Sequence, residues 1–175
     1  MDMLSFRLGS GEVVVVKPGS HLLNHENDGI LPLLPEALNR IQSGGRDFME
    51  EEIDFGRVIG TTNCVETTET DEIVYAHRMG KDRDQNPRRF DGPSRFVRNR
   101  QPEPCNTLLV VLKWDNRDPQ YFVVTGFVGK KTAREPWDKF AKGGEKEYWR
   151  THALVFGTFP IDENTITSSI PDSYR

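Results

Sequence analysis

The stretch Thr107–Gly129 reads TLLVVLKWDNRDPQYFVVTGFVG. Thr107–Lys113 is apolar and β-branched, Trp114–Gln120 holds the turn formers Asp115, Asn116, Asp118 and Pro119, and Tyr121–Val128 is a second such run. This pattern predicts an antiparallel hairpin. Both runs are too continuously apolar for a sheet with one wet face, so the hairpin is expected to be central and covered on both sides, or tightly curved.

Working outward, Phe6–Leu8 and Glu12–Lys17 flank Gly9-Ser10-Gly11 and predict a short hairpin or edge strand ended by Pro18-Gly19. SHLLNHEN over Ser20–Asn27 predicts a short helix capped by Ser20. PLLPEALNRIQ over Pro32–Gln42 puts Leu34, Leu38 and Ile41 on one helical face, stopped by Gly44-Gly45. Arg46–Asp54 reads as a charged connector. Strands are expected over Gly56–Asn63 and Glu72–Arg78, where His77 and Arg78 point to opposite sides. Met79–Pro93, rich in Gly, Pro, Asp and Arg, reads as a mobile loop or lid, with a short strand over Ser94–Val97. A second loop, anchored by Pro136-Trp137, leads to a helix over Glu145–Phe156 and a partly extended tail. The expected fold class is α+β: a central twisted antiparallel sheet with N-terminal helices and one C-terminal helix. It forms a single domain over 1–175, with a strand and helical part at 1–55, the sheet with a basic loop (79–100) at 56–130, and loop, helix and tail at 131–175.

A chain of 175 residues can bury a core without staples. Its apolar runs are far short of the roughly 20 residues of a spanning helix, and the N-terminus lacks a basic region followed by an apolar one, so a cytoplasmic protein with no membrane contact is expected. Cys64 and Cys105 are not in a Cys-x-x-Cys pair and read as unlinked thiols. The net charge of −4 is unevenly spread. Residues 1–77 hold fourteen acids against five bases, a net of −9; residues 78–100 hold eight bases against three acids, a net of +5. Bulk binding to duplex DNA is disfavoured by the acidic total, but a local arginine cluster suits phosphate.

Candidate chemistry follows from placement. Thr125 puts a hydroxyl mid-strand with Val123 and Phe127 on its own face, either satisfied by a neighbouring strand or exposed where Gly126 lets a ligand approach. Arg78 ends a strand beside the basic loop; with Lys81, Arg95 and Arg98 it would neutralise a phosphodiester, or else form a salt bridge to an N-terminal acid. His152 is either a packing residue or a general acid or base. His21 and His25 would share a helix face beside Glu26, but the remaining ligands of a metal site are missing, so neither metal nor cofactor is expected.

The order of parts resembles the barnase/EndoU/colicin/RelE-like (BECR-type) superfamily of metal-independent ribonucleases, found in phage and toxin contexts. The residues that carry the resemblance are His21 in GSHLLNH, Arg78 in IVYAHRMGK, Arg95 in PSRFV and Thr125 in YFVVTGF. It implies an endoribonuclease-like domain in which His21 or His152 deprotonates a ribose 2′-hydroxyl, Arg78 and Arg95 hold phosphate oxygens, and Thr125 positions phosphate or nucleophile, leaving a 2′,3′-cyclic phosphate. Single-stranded RNA is the implied partner. Two competing expectations are an interaction module whose arginine-rich loop binds an acidic partner such as an antitoxin, and an enzyme acting on a phosphorylated small molecule.

Overall fold

The computed structural model describes residues 3–18, 20, 22 and 29–175. The chain falls into two compact units interleaved in sequence: 1–61 with 104–131, and 62–103 with 132–175.

The first unit is built on a five-stranded sheet. Strands β1 (Leu4–Arg7) and β2 (Val13–Val16) form the predicted N-terminal hairpin, and β9 (Thr107–Asp115) and β10 (Gln120–Val128) the predicted central one. With β3 (Phe48–Asp54) the order is β1-β2-β10-β9-β3, parallel only between β2 and β10. The Asp115 carboxylate nucleates the central turn by accepting from the Arg117 backbone N–H at 3.0 Å. Residues 107–112 are all buried, so β9 is covered on both faces, as its continuous apolar run requires. Leu108, Val110 and Leu112 join Val14, Val16, Tyr121 and Val123 under α1 (Leu34–Asn39), which contributes Leu34, Ala37 and Leu38. Each fully buried leucine contributes about 1.5–3 kcal/mol.

The second unit carries a four-stranded sheet in which Cys64–Glu66, His152–Val155, Pro87–Val97 and Ile73–Lys81 lie in that order. Its strands are β5 (Cys64–Glu66), β6 (Ile73–Lys81), β7 (Pro87–Val97) and β11 (His152–Val155). The core gathers Val74, Tyr75, Ala76, Phe96, Trp149, Leu154 and Tyr174. The C-terminal tail runs along the outer edge of β6, with Tyr75 and Thr167 exchanging backbone hydrogen bonds at 2.8 and 2.9 Å. That cover satisfies an otherwise open strand edge. Short strands β4 (Gly60–Thr62) and β8 (Glu103–Cys105) pair as a separate two-stranded ribbon.

The α+β expectation is overturned: the described residues are 41 % strand and 13 % helix. Among the described residues the α-helices are α1 and α2 (Glu145–Arg150), six residues each. The helix expected over Ser20–Asn27 lies outside the described residues except at Ser20 and Leu22. The C-terminal helix ends at Arg150 because His152–Val155 is drawn into the sheet between β5 and β7, and a four-residue apolar run has no periodicity to distinguish the two states. The acidic connector is strand β3; its alternation, with Met49 and Ile53 buried, outweighs its charge. Glu51, on the inward face, is paired to Arg46 at 2.7 Å. The basic lid is instead the far half of a long β6–β7 hairpin. Asp82 organises its turn by accepting from the Asp84 and Asn86 backbone N–H groups, both at 2.9 Å, and Gln85 adopts φ 67°.

Candidate functional site

The β6–β7 register sets Ala76 opposite Ser94, and Arg78, at the irregularity between His77 and Met79, reaches the Ser94 hydroxyl. Arg78 Nε donates to Ser94 Oγ at 3.0 Å and its Nη2 donates to Glu135 Oε2 at 2.9 Å, while Ser94 Oγ donates to Glu135 Oε1. Ser94 is fully buried and Glu135 is 8 % exposed. The Arg78 guanidinium also lies 4.3 Å from the Phe90 ring centre and 5.5 Å from that of Phe159. The Tyr174 hydroxyl donates to Pro93 O at 2.9 Å; burial first, and then the negative charge of Glu135, pushes its ionisation far up. The acid that Arg78 pairs with is therefore Glu135 and not one from the N-terminal segment. Arg78 holds the Thr132–Gly144 segment against the sheet.

Arg95 and His152 are brought together, through the backbone of one. Arg95 Nη1 donates to His152 O at 2.7 Å and to Thr67 Oγ1 at 3.0 Å. The imidazole stacks on Tyr148 with ring centres 4.0 Å apart and an interplanar angle of 6°. Its Nδ1 lies 2.8 Å from Tyr148 O, so this nitrogen carries the proton and Nε2 is the acceptor in the neutral ring. His152 thus sits on a strand, not on the predicted helix. Arg98 lies 4.8 Å from the Phe156 ring centre and forms no ion pair among the described residues.

Thr125 belongs to the first unit, whereas Arg78, Lys81, Arg95, Arg98 and His152 belong to the second. A β-bulge between Val123 and Thr125 changes which residues share a face. Val123 is in the core, while Thr125 is half-buried and on the outward side with Phe127, which is 37 % exposed. The predicted pairing of Val123 with Thr125 on one face is corrected by that extra residue. His21 and His25 lie outside the described residues.

Lys81 marks a feature the sequence reading missed. Gly80, Lys81, Arg88, Phe90, Asp91 and Trp137 line a pocket of about 250 Å³ in the second unit. Phe90 and Trp137 meet edge to face, ring centres 6.5 Å apart at 78°, forming an aromatic corner. Trp137 is fixed by donation from Nε1 to Pro93 O at 2.8 Å and by its seat on Gly92, where a Cβ would come 2.1 Å from the indole Cγ. Of the cations, Lys81 forms no ion pair among the described residues, and Arg88 is 3.8 Å from Asp91 with both side chains well exposed. Pro136-Trp137 was expected to anchor a loop; its role as a pocket wall depends on the hairpin beneath it. Ser94 and Glu135 gave no signal in the sequence, since a lone serine and a lone glutamate have no diagnostic spacing.

No group of three or more His, Cys, Asp or Glu side chains able to hold a metal ion occurs among the described residues. Among the described residues no helix is long and apolar enough to cross a membrane. Compared with protein-family models, curated proteins and solved structures, the chain matches none.

Proposed function

We propose that this chain binds single-stranded RNA through the β6–β7 hairpin of its second unit. One observation carries this reading: the far half of the hairpin presents Lys81 and Arg83 without ion pairs among the described residues, with Arg88 only loosely paired, around an aromatic-walled pocket. Cations that neutralise a backbone next to exposed ring faces are the two components of single-strand binding. Binding draws more support than cleavage, because the guanidinium groups of Arg78 and Arg95 are occupied within the protein. Fluorescence anisotropy with a labelled unstructured RNA tests it. Lys81→Ala with Arg88→Ala should weaken binding and lower the salt slope by about 1.4, at roughly 0.7 per phosphate contact on a single strand. Unchanged affinity in the double variant sinks the reading, and preferential binding of an acidic polypeptide would favour a protein partner instead.

A second reading, endoribonuclease activity leaving a 2′,3′-cyclic phosphate, is favoured by the bulge that turns Thr125 outward beside Gly126. Cleavage that persists in chelator and falls with Thr125→Val would support it; equal cleavage by the variant would end it.

A further inference from the structure

We propose that the corner between Phe90 and Trp137 is a nucleotide pocket, in which an aromatic base stacks on the ring walls, Lys81 and Arg88 hold the phosphate, and Asp91 accepts from an exocyclic amino group. The inference rests on the RNA-binding reading and deepens it by naming the part of the strand that is read. Three properties of the pocket converge on such a ligand.

The first is shape. Two rings held at 78° offer one flat ligand a face to stack on and an edge to abut. The walls are set before any ligand arrives, Trp137 by its hydrogen bond to Pro93 and its contact with Gly92, Phe90 by the Arg78 guanidinium 4.3 Å from its ring centre. Preorganised rings lose little side-chain entropy on binding. The space of about 250 Å³ admits one base with its sugar partly outside, not a folded peptide segment.

The second is donor and acceptor chemistry. The Trp137 N–H is already committed to Pro93, so the indole offers the ligand a π surface and no donor. Positive charge comes from Lys81 and Arg88, one on each strand of the hairpin and one register position out of step, both lining the pocket. In the proposed mode their long side chains reach the phosphate from the two strands. The third is the acceptor, Asp91, loosely paired to Arg88 at 3.8 Å. An acid in a site otherwise suited to an anion is unfavourable for an acidic peptide but complements a base amine.

The decisive experiment titrates the full chain with AMP, IMP and adenosine, following tryptophan fluorescence and the Trp137 indole N–H by NMR, with Trp137→Phe to assign the signal. AMP is expected to bind about tenfold tighter than adenosine, and about fivefold tighter than IMP, which lacks the amine; a hydrogen bond to an exposed charged acceptor has about that worth. Asp91→Asn should abolish the AMP preference over IMP while retaining the preference over adenosine. Lys81→Ala with Arg88→Ala should do the reverse. No perturbation of Trp137 by AMP up to 10 mM (about 10⁻² M, beyond the weakest affinities of interest), or equal binding of the three probes, overturns the pocket. RNA binding that survives Trp137→Phe and Asp91→Asn unchanged also overturns the pocket but leaves the hairpin reading intact. AMP binding without RNA binding upholds the pocket and removes the RNA reading.

Discussion

Arg78 and Glu135, fifty-seven residues apart in sequence, meet at 2.9 Å with side-chain exposures of 23 % and 9 %. Between them the buried Ser94 hydroxyl contacts both, so three polar groups satisfy one another inside the second unit. Such a network is stable only when complete, because each member left alone keeps the cost of its desolvation.

Glu135→Ala should therefore lower the unfolding free energy by about 3 kcal/mol, the lower end for a broken buried pair since Arg78 retains some solvent. Urea titration would measure it. Adding Arg78→Met to the same chain should recover part of the loss, and a loss below about 0.5 kcal/mol would show that the pair is worth no more than a surface one.

Gly92→Ala places a methyl group where the indole of Trp137 now lies, 2.1 Å from Cγ. The ring must swing away from Pro93, with an expected cost of about 1–3 kcal/mol, and its fluorescence should shift to the red. Unchanged emission would mean that the indole of Trp137 does not rest on Gly92.

Acid should act on Asp71. Two donations from Arg100, at 2.9 and 3.0 Å, and then one from the Thr68 backbone lower its ionisation to about 2, and its side chain is 3 % exposed. A folded-state pKa below the unfolded value of about 3.9 means that the contribution is full above pH ~4 and disappears as pH falls towards ~2. Thermal midpoints measured across that interval should fall more steeply for the wild type than for Asp71→Asn; parallel curves would exclude the assignment.

Cys64 should alkylate slowly. Burial pushes its thiol upward, partly offset by the contact with the Tyr148 hydroxyl at 3.5 Å. In a Cys105→Ser background at pH 8, labelling in native buffer is expected to be about tenfold slower than in denaturant, since the thiolate is the reactive form. Equal rates would place Cys64 at the surface.

What the sequence determined by itself was local. The β9–β10 hairpin, the β1–β2 hairpin and the amphipathic turn of α1 each depend on periodicity and turn chemistry within about twenty residues, and each was readable before any fold was known. Tertiary structure decided the rest. Glu50, Glu51 and Glu52 lie in a strand because β9 offers an edge with a buried face for Met49 and Ile53. His152–Val155 leaves the helix because β5 and β7 leave a place between them that four residues fill. The arginine cluster, one block in sequence, is divided by topology into residues held internally, such as Arg78 and Arg95, and residues facing outward, such as Lys81 and Arg83. A side chain's charge is written in the sequence, but its partner is chosen by which distant strand the fold brings within about 3 Å.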